Sequence, residues 1–151
     1  MSESFDFKKQ KVAIGTDHAG FELKQELVAM LDKLGIEYYD FGVYEKSPSD
    51  YPSIAKEVAL AVADGEFDKG IILCGSGLGV CITANKVVGI RAVTCHDTYS
   101  ARVSRTHNDA NILTMGARVI GVDLAKEVAL TWLKTGFEGG RHQVRVSMIE
   151  Q

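Results

Sequence analysis

The chain has 151 residues, 46% hydrophobic and 25% charged, a composition that excludes intrinsic disorder, collagen and small disulfide scaffolds and predicts one globular domain over residues 1–151. A net charge of −3 argues against a nucleic-acid partner, and three cysteines with no C-x-x-C pair give neither a disulfide framework nor a thiolate metal site. No run approaches the roughly 18 apolar residues of a membrane span, and the opening Met1-Ser2-Glu3-Ser4-Phe5-Asp6 has neither a basic leader nor an apolar stretch, so a cytoplasmic address is expected.

The first predicted strand is the apolar run Lys11 to Ile14. It ends in Gly15-Thr16-Asp17-His18-Ala19-Gly20, and Phe21, Leu23, Leu27, Val28, Met30, Leu31 and Leu34 follow at helical spacing. A second strand, Ile36 to Phe41, leads through the polar turn Ser47-Pro48-Ser49-Asp50 into a helix from about Pro52 to Asp64. Gly70 to Leu73 reads as a buried strand, and its glycine-rich loop opens a helix running to about Val87. Strand Ile90 to Val93, helix Asp97 to Arg105, strand Ile112 to Met115 and helix Val122 to Lys134 complete five strands alternating with five helices.

This alternation predicts an α/β fold, Rossmann-like, in which a five-stranded parallel sheet lies between two helical layers. The site belongs at the carboxyl ends of the strands. Three loops there hold unusual residues: Asp17-His18, Cys74 to Gly79, and Cys95-His96. After Gly139-Gly140 the tail begins with polar Arg141-His142-Gln143 and ends with Val144, Val146, Met148 and Ile149. A terminal segment of this kind, with no strand to pair with, is expected to pack on a second subunit.

Charge is unevenly placed. There are 8 basic and 14 acidic residues before Ser76, against 9 and 6 from there on, and all six arginines lie in the second part. The planar guanidinium suits bidentate recognition of carboxylate or phosphate, which suggests a small anionic ligand. Arg141 and Arg145 are four apart, so in a helical tail both project from one face and can grip one phosphate. His142 beside them and the absence of acidic residues between Gly139 and Ser147 favour that over a merely solvated face.

Cys74-Gly75-Ser76-Gly77-Leu78-Gly79 lies between a strand and a helix, where free backbone amides can hold an oxyanion or phosphate. It is not a dinucleotide fingerprint, because Val80 stands where the last glycine would fall, and no Walker lysine follows. Glycines serving only a tight turn are the plainer alternative. Cys74 is either a small buried hydrophobe or a reactive thiol, at a position where a helix N-terminus can favour the thiolate and leave it partly exposed, whereas Cys81 and Cys95 read as small buried hydrophobes. Asp17 is either a helix cap or a site residue, His18 is either solvated or functional, and His107-Asn108-Asp109 falls at a helix-to-strand turn. No pair of the four histidines has metal-ligand spacing on one helical face, so no metal is expected.

Together these segments resemble the B-type ribose-5-phosphate isomerases of the wider ribose/galactose isomerase group. The resemblance runs in register through G-T-D-H-A-G-F from Gly15, D-Y-P from Asp50, C-G-S-G-L-G from Cys74, A-N-K from Ala84, G-I-R-A from Gly89, H-N-D-A-N from His107, G-A-R from Gly116 and E-G-G-R-H-Q-x-R from Glu138. It implies an intramolecular oxidoreductase without metal or organic cofactor, interconverting ribose 5-phosphate and ribulose 5-phosphate through a cis-enediol(ate). By the same resemblance Cys74 is the base between carbons 2 and 1. A second branch of the family uses a glutamate further along the loop, where this chain has Val80. Ser76 occupies a position often held by threonine, and could orient or help ionise the thiol.

His107 corresponds to the ring-opening acid/base, with Asp17 as helper. Amides from Gly75 through Ser76, Gly77 and Leu78 to Gly79, with Asn108, would stabilise the enediolate oxygen. His18, Arg118, Arg141 and Arg145 would hold phosphate, and Tyr51 would line the pocket. The resemblance further implies a homodimer, or a dimer of dimers, with sites shared between subunits and a C-terminal helix contacting the partner. Two other readings stay open: an isomerase of six-carbon phosphates (allose or galactose 6-phosphate) or of rare free sugars, and a sugar-phosphate-binding module that has lost catalysis. Intact Cys74, Ser76 and His107 count against the module.

Overall fold

Strand β1 (Lys11–Thr16) turns through a 3-10 segment, His18–Gly20, into helix α1 (Phe21–Leu34). There follow β2 (Glu37–Asp40), α2 (Tyr51–Ala63), β3 (Lys69–Cys74), α3 (Leu78–Asn85), β4 (Ala92–Thr94), α4 (Thr98–Thr106), β5 (Ile112–Gly116), α5 (Val122–Lys134) and α6 (Arg141–Ile149). The computed structural model describes residues 5–151, so the leader reading for residues 1–4 lies outside the described residues.

All strands are parallel, in the order β2-β1-β3-β5-β4. The chain runs outward from β1 to β2 and returns past β1 to β3, so winding reverses between β1 and β3. A doubly wound sheet opens a crevice at the carboxyl ends of such a strand pair. Thr16 pairs with Leu73 there, and the Asp17 N–H donates to the Leu73 carbonyl at 3.3 Å. Asp17 and Cys74 therefore leave the sheet side by side.

The central strands β1, β3 and β5 are buried on both faces and read as near-continuous apolar runs, whereas the edge strand β2 alternates exposed and half-buried residues. On one face Val12, Ile14, Ile71, Leu73, Leu113 and Met115 pack with Leu27 and Leu31 of α1 and Val128 and Trp132 of α5. On the other, Ala13, Ile72, Cys74 and Ile112 meet Val58 and Val62 of α2 and Val80 and Ala84 of α3. The expected three layers are present.

Two expectations need correction. Helix α3 ends at Asn85, not Val87, and β4 starts at Ala92, not Ile90. The Asn85 side chain brackets Ala92, its Oδ1 accepting the Ala92 N–H at 2.8 Å and its Nδ2 donating to the Ala92 carbonyl at 3.0 Å, and Arg91 N–H bonds the Asn111 side chain before any ladder forms. The tail is helix α6 and is anchored to its own chain as well: His142 and Val146 are buried, and Arg91 pairs with Glu150 at 2.6 Å. Val144, Met148 and Ile149 stay exposed. Among the described residues no helix is long and apolar enough to cross a membrane.

Candidate active site

At the β1/β3 crevice a cleft of about 460 Å³ is lined by Asp17, Tyr51, Cys74, Gly75, Ser76, Gly79, Arg118 and Val119. Cys74 ends β3 on the face covered by α2 and α3, which leaves it 4% exposed, less than its loop position suggests. Its Sγ accepts the Gly77 N–H at 3.1 Å, at the start of α3. Gly77 has φ 79°, a left-handed conformation that favours glycine, and a Cβ there would lie 2.7 Å from the Met115 backbone. The Gly77 carbonyl accepts hydroxyls from Thr114 of β5 at 2.8 Å and Thr94 of β4 at 3.1 Å. These two threonines thus hold the residue that holds the sulfur. Sequence reasoning passed over both; the available signal was a hydroxyl inside each of two otherwise apolar strands.

Ser76 sits exposed, and its Oγ accepts the Leu78 N–H at 3.2 Å, so the Cys74 sulfur is met by a backbone amide and not by this hydroxyl. With the Gly77 and Leu78 amides engaged, those of Ser76 and Gly79, both residues that line the cleft, have no partner among the described residues. Helix starts leave such donors free. Asp17 is buried; its Oδ1 caps the 3-10 turn by accepting the Ala19 N–H at 3.0 Å, and the residue also lines the cleft, so cap and site are one position. His18 Nδ1 accepts the Ser49 N–H at 3.2 Å while its own N–H donates to Ser49 Oγ at 3.0 Å. With Nδ1 an acceptor, the neutral ring carries its proton on Nε2. Tyr51 packs on Gly79, where a Cβ would fall 2.4 Å from the ring, and Arg118 lies over Gly75 and donates its backbone N–H to the Gly75 carbonyl at 3.0 Å. His96, noted in the sequence but given no role, accepts the Gly116 N–H at 2.8 Å.

The other candidates form a second group. His107 caps the C-terminus of α4, Asn108 follows it, and Arg141 and Arg145 project from the exposed face of α6. None of the four lines the Cys74 cleft. His142 does not join the arginines: it turns inward, 6% exposed, and stacks on His107 with ring centroids 4.2 Å apart. Burial pushes its pKa down, with His107 and Arg141 adding to the shift. His107, Glu138 and His142 place metal-type donor atoms within 4.8 Å of one another. Lone pairs lie in the ring planes, so an ion shared by these two stacked rings, 11° from parallel, would sit out of both planes, which is poor ligand geometry.

The arginines divide by task. Arg91 and Arg105 are consumed by structure, clamping the 108–110 turn through Asp109 and its neighbouring carbonyls. Arg102, Arg118, Arg141 and Arg145 form no ion pair among the described residues; Arg102 lies over the Tyr99 ring, and the other three remain available to an anion. Cys95 is buried and its thiol is pushed up to about 11, chiefly by desolvation, in line with its reading as an inert core residue.

A doubly wound α/β sheet with a thiol and open amides at its switch point, and the unpaired Arg118 beside them, defines an enzyme acting on a small anionic metabolite. The ribose/galactose isomerase family profile matches residues 12–149. Ribose-5-phosphate isomerase B of Escherichia coli (strain K12) is 53% identical over 140 residues, spanning 93% of this chain and 94% of that protein. A D-erythrulose-4-phosphate isomerase of Pectobacterium atrosepticum is 45% identical over 140 residues, 91% of each chain. The solved Clostridium thermocellum ribose-5-phosphate isomerase B superposes with a TM-score of 0.91 at 53% identity, covering 93% of this chain and 95% of that one. The chain belongs to the ribose/galactose isomerase family and is a sugar-phosphate isomerase.

Proposed function

We propose that the chain interconverts ribose 5-phosphate and ribulose 5-phosphate, with Cys74 as the proton-transfer base and His107 opening the sugar ring. The observation that carries this reading is the Cys74 sulfur, held by the Gly77 amide beside Asp17 and two open amides. His107 transfers a proton from the C1 hydroxyl to the ring oxygen, assisted by Asp17, and frees the aldehyde. The Cys74 thiolate then takes the proton from C2, and the charge that develops on O1 meets the amides of Ser76 and Gly79 together with Asn108. The thiol returns the proton to C1 as O1 gains and O2 loses a proton. C1 is reduced and C2 oxidised within one molecule, so no external redox partner enters.

His18, Arg118, Arg141 and Arg145 bind the phosphate, whose remote binding energy fixes the reacting carbons. Because His107, Asn108, Arg141 and Arg145 lie apart from the Cys74 cleft of their own chain, a complete site draws them from a second copy. The exposed Val144, Met148 and Ile149 of α6 supply apolar surface for that contact.

A four-carbon substrate is the second reading, favoured by the D-erythrulose-4-phosphate isomerase among the relatives. A four-carbon aldose 4-phosphate has no free hydroxyl able to close a five-membered ring, so His107 would have no ring to open. Turnover of four-, five- and six-carbon sugar phosphates by purified wild-type and His107→Asn protein separates the readings. The five-carbon assignment expects the highest kcat/KM on ribose 5-phosphate and a strong His107 dependence; preference for another chain length overturns it.

A further inference from the structure

His142 touches His107 and has so far been given no role. The two rings lie face to face, centroids 4.2 Å apart and planes 11° from parallel. No hydrogen bond holds the His107 side chain among the described residues, so this stack is what restrains its ring. His142 is in turn fixed from behind. Its Nε2 lies 3.5 Å from Glu138 Oε2, its backbone N–H donates to the Gly139 carbonyl at 3.1 Å, and the Glu138 N–H donates to the Thr106 carbonyl at 3.1 Å, tying the brace to the last turn of α4.

We propose that His142, oriented by Glu138, is a positioning residue for ring opening: it sets the plane of the His107 imidazole so that a ring nitrogen meets the sugar's ring oxygen. Proton transfer needs donor and acceptor within hydrogen-bond reach and aligned, and a misplacement of about 1 Å can cost on the order of a hundredfold. An imidazole at a helix C-cap is otherwise free to rotate about its last side-chain bond. The charged groups facing the stack are Glu138 from the preceding loop and Arg141 and Arg145 from α6. Burial, then His107 and Arg141, lower the His142 pKa, with Glu138 opposing them. That direction disfavours a positive charge on the brace beside the group that must accept and release a proton.

The inference rests on the reading of His107 as the ring-opening group, and the test separates the two. Ribulose 5-phosphate is acyclic, because its C5 hydroxyl is esterified, so solvent-deuterium exchange at its C1 needs Cys74 but no ring opening. Ribose 5-phosphate is cyclic, and its turnover needs both steps. For His142→Ala we expect kcat on ribose 5-phosphate to fall on the order of tenfold, with C1 exchange on ribulose 5-phosphate and KM for both sugars within about twofold of wild type. His142→Phe, which rebuilds the ring face without the imidazole nitrogens, should recover most of the loss. Glu138→Gln, at an exposed carboxylate, should give a smaller loss of the same selective kind and serves as the second variant if His142→Ala folds poorly.

A merely structural role would shift α6 and with it Arg141 and Arg145, raising KM and slowing both reactions together; that pattern overturns the proposal, as does unchanged forward turnover. His107→Asn is the control. If it slows both reactions equally, the ring-opening reading fails and takes this inference with it. If it is selective for the cyclic sugar while His142→Ala is not, the positioning role fails alone.

Discussion

The Gly77 N–H and the Cys74 sulfur are 3.1 Å apart, and Gly77 is in turn pinned by Thr114 and Thr94 through its carbonyl. A thiol held in this way is oriented before substrate arrives. Cys74→Ala removes the proposed base while sparing Arg118 and the other candidate phosphate ligands. We expect isomerisation and solvent-deuterium exchange at C2 to fall by a factor of about 100 or more, the usual range for loss of a general base, with inhibitor affinity for a sugar-phosphate analogue nearly unchanged. Exchange persisting at the wild-type rate, measured by NMR, would place the base elsewhere.

Gly116 gives a second test of the same loop. A Cβ at this position would lie 2.5 Å from the carbonyl carbon and oxygen of Ser76, backbone that cannot swing aside as a side chain can. Gly116→Ala must therefore push the 75–79 loop off the end of β5, and overpacking of this kind costs about 1–3 kcal/mol. Turnover should fall with stability. Gly79→Ala meets only the half-exposed Tyr51 ring, at 2.4 Å, which can rotate outward. Its unfolding midpoint in urea should stay closer to wild type than that of Gly116→Ala; the reverse order would contradict the packing described.

Lys69 predicts a pH effect far from the site. Its ammonium is buried at the start of β3, donates to the Leu133 carbonyl at 2.9 Å and lies over the Trp132 ring. Desolvation lowers its pKa from 10.5 to about 7, with Arg105 adding to the shift and Asp109 and Asp68 opposing it. Between pH 7 and 10.5 the unfolded chain then binds the proton and the folded chain does not, so this group makes stability rise with pH across that window. Below pH 7 both states are protonated and the full cost of burying the charge is present. Lys69→Met should therefore be most advantageous at pH 7 and below, its margin over wild type shrinking by up to about 1.4 kcal/mol per pH unit above that. A margin that is flat from pH 6 to 9, in denaturant unfolding, would show that Lys69 keeps its proton when folded.

How far these features could be read in advance differs by kind. The central strands β1, β3 and β5 were legible because burial on both faces turns them into apolar runs, and the Cys74 loop because strand, glycines and helix follow one another directly. The end of α3 was not, since Val87 continues an apolar pattern while Asn85 halts the helix through bonds to Ala92, a contact that spacing does not reveal. His142 was misplaced for a related reason. Beside Arg141 in sequence it reads as part of a basic patch, yet on a helix adjacent residues point about 100° apart, so it faces inward while Arg141 faces out. The roles of Thr94 and Thr114 depend on strands β4 and β5 being neighbours, which only the sheet order fixes.

The separation of the candidate residues into two groups leads to the last prediction. Asp17, Tyr51, Cys74 and Arg118 converge on one cleft, whereas His107, Arg141 and Arg145 sit on the α4 end and α6. If a second copy supplies the latter group, Arg141→Ala/Arg145→Ala removes two charge-assisted phosphate contacts. That loss should cost about 3 kcal/mol, on the order of a hundredfold in affinity. Mixing this variant with Cys74→Ala and allowing subunits to exchange should then restore activity, because one site of each heterodimer combines an intact Cys74 with intact arginines while the other site carries both defects. With random exchange about half of the dimers are mixed and half of their sites work, so about a quarter of wild-type turnover is expected. Subunit exchange is verified independently by native mass spectrometry of differently tagged chains. Heterodimers that form and stay inactive would put both residue groups in the site of a single chain, and α6 would then have to move toward the cleft of its own subunit.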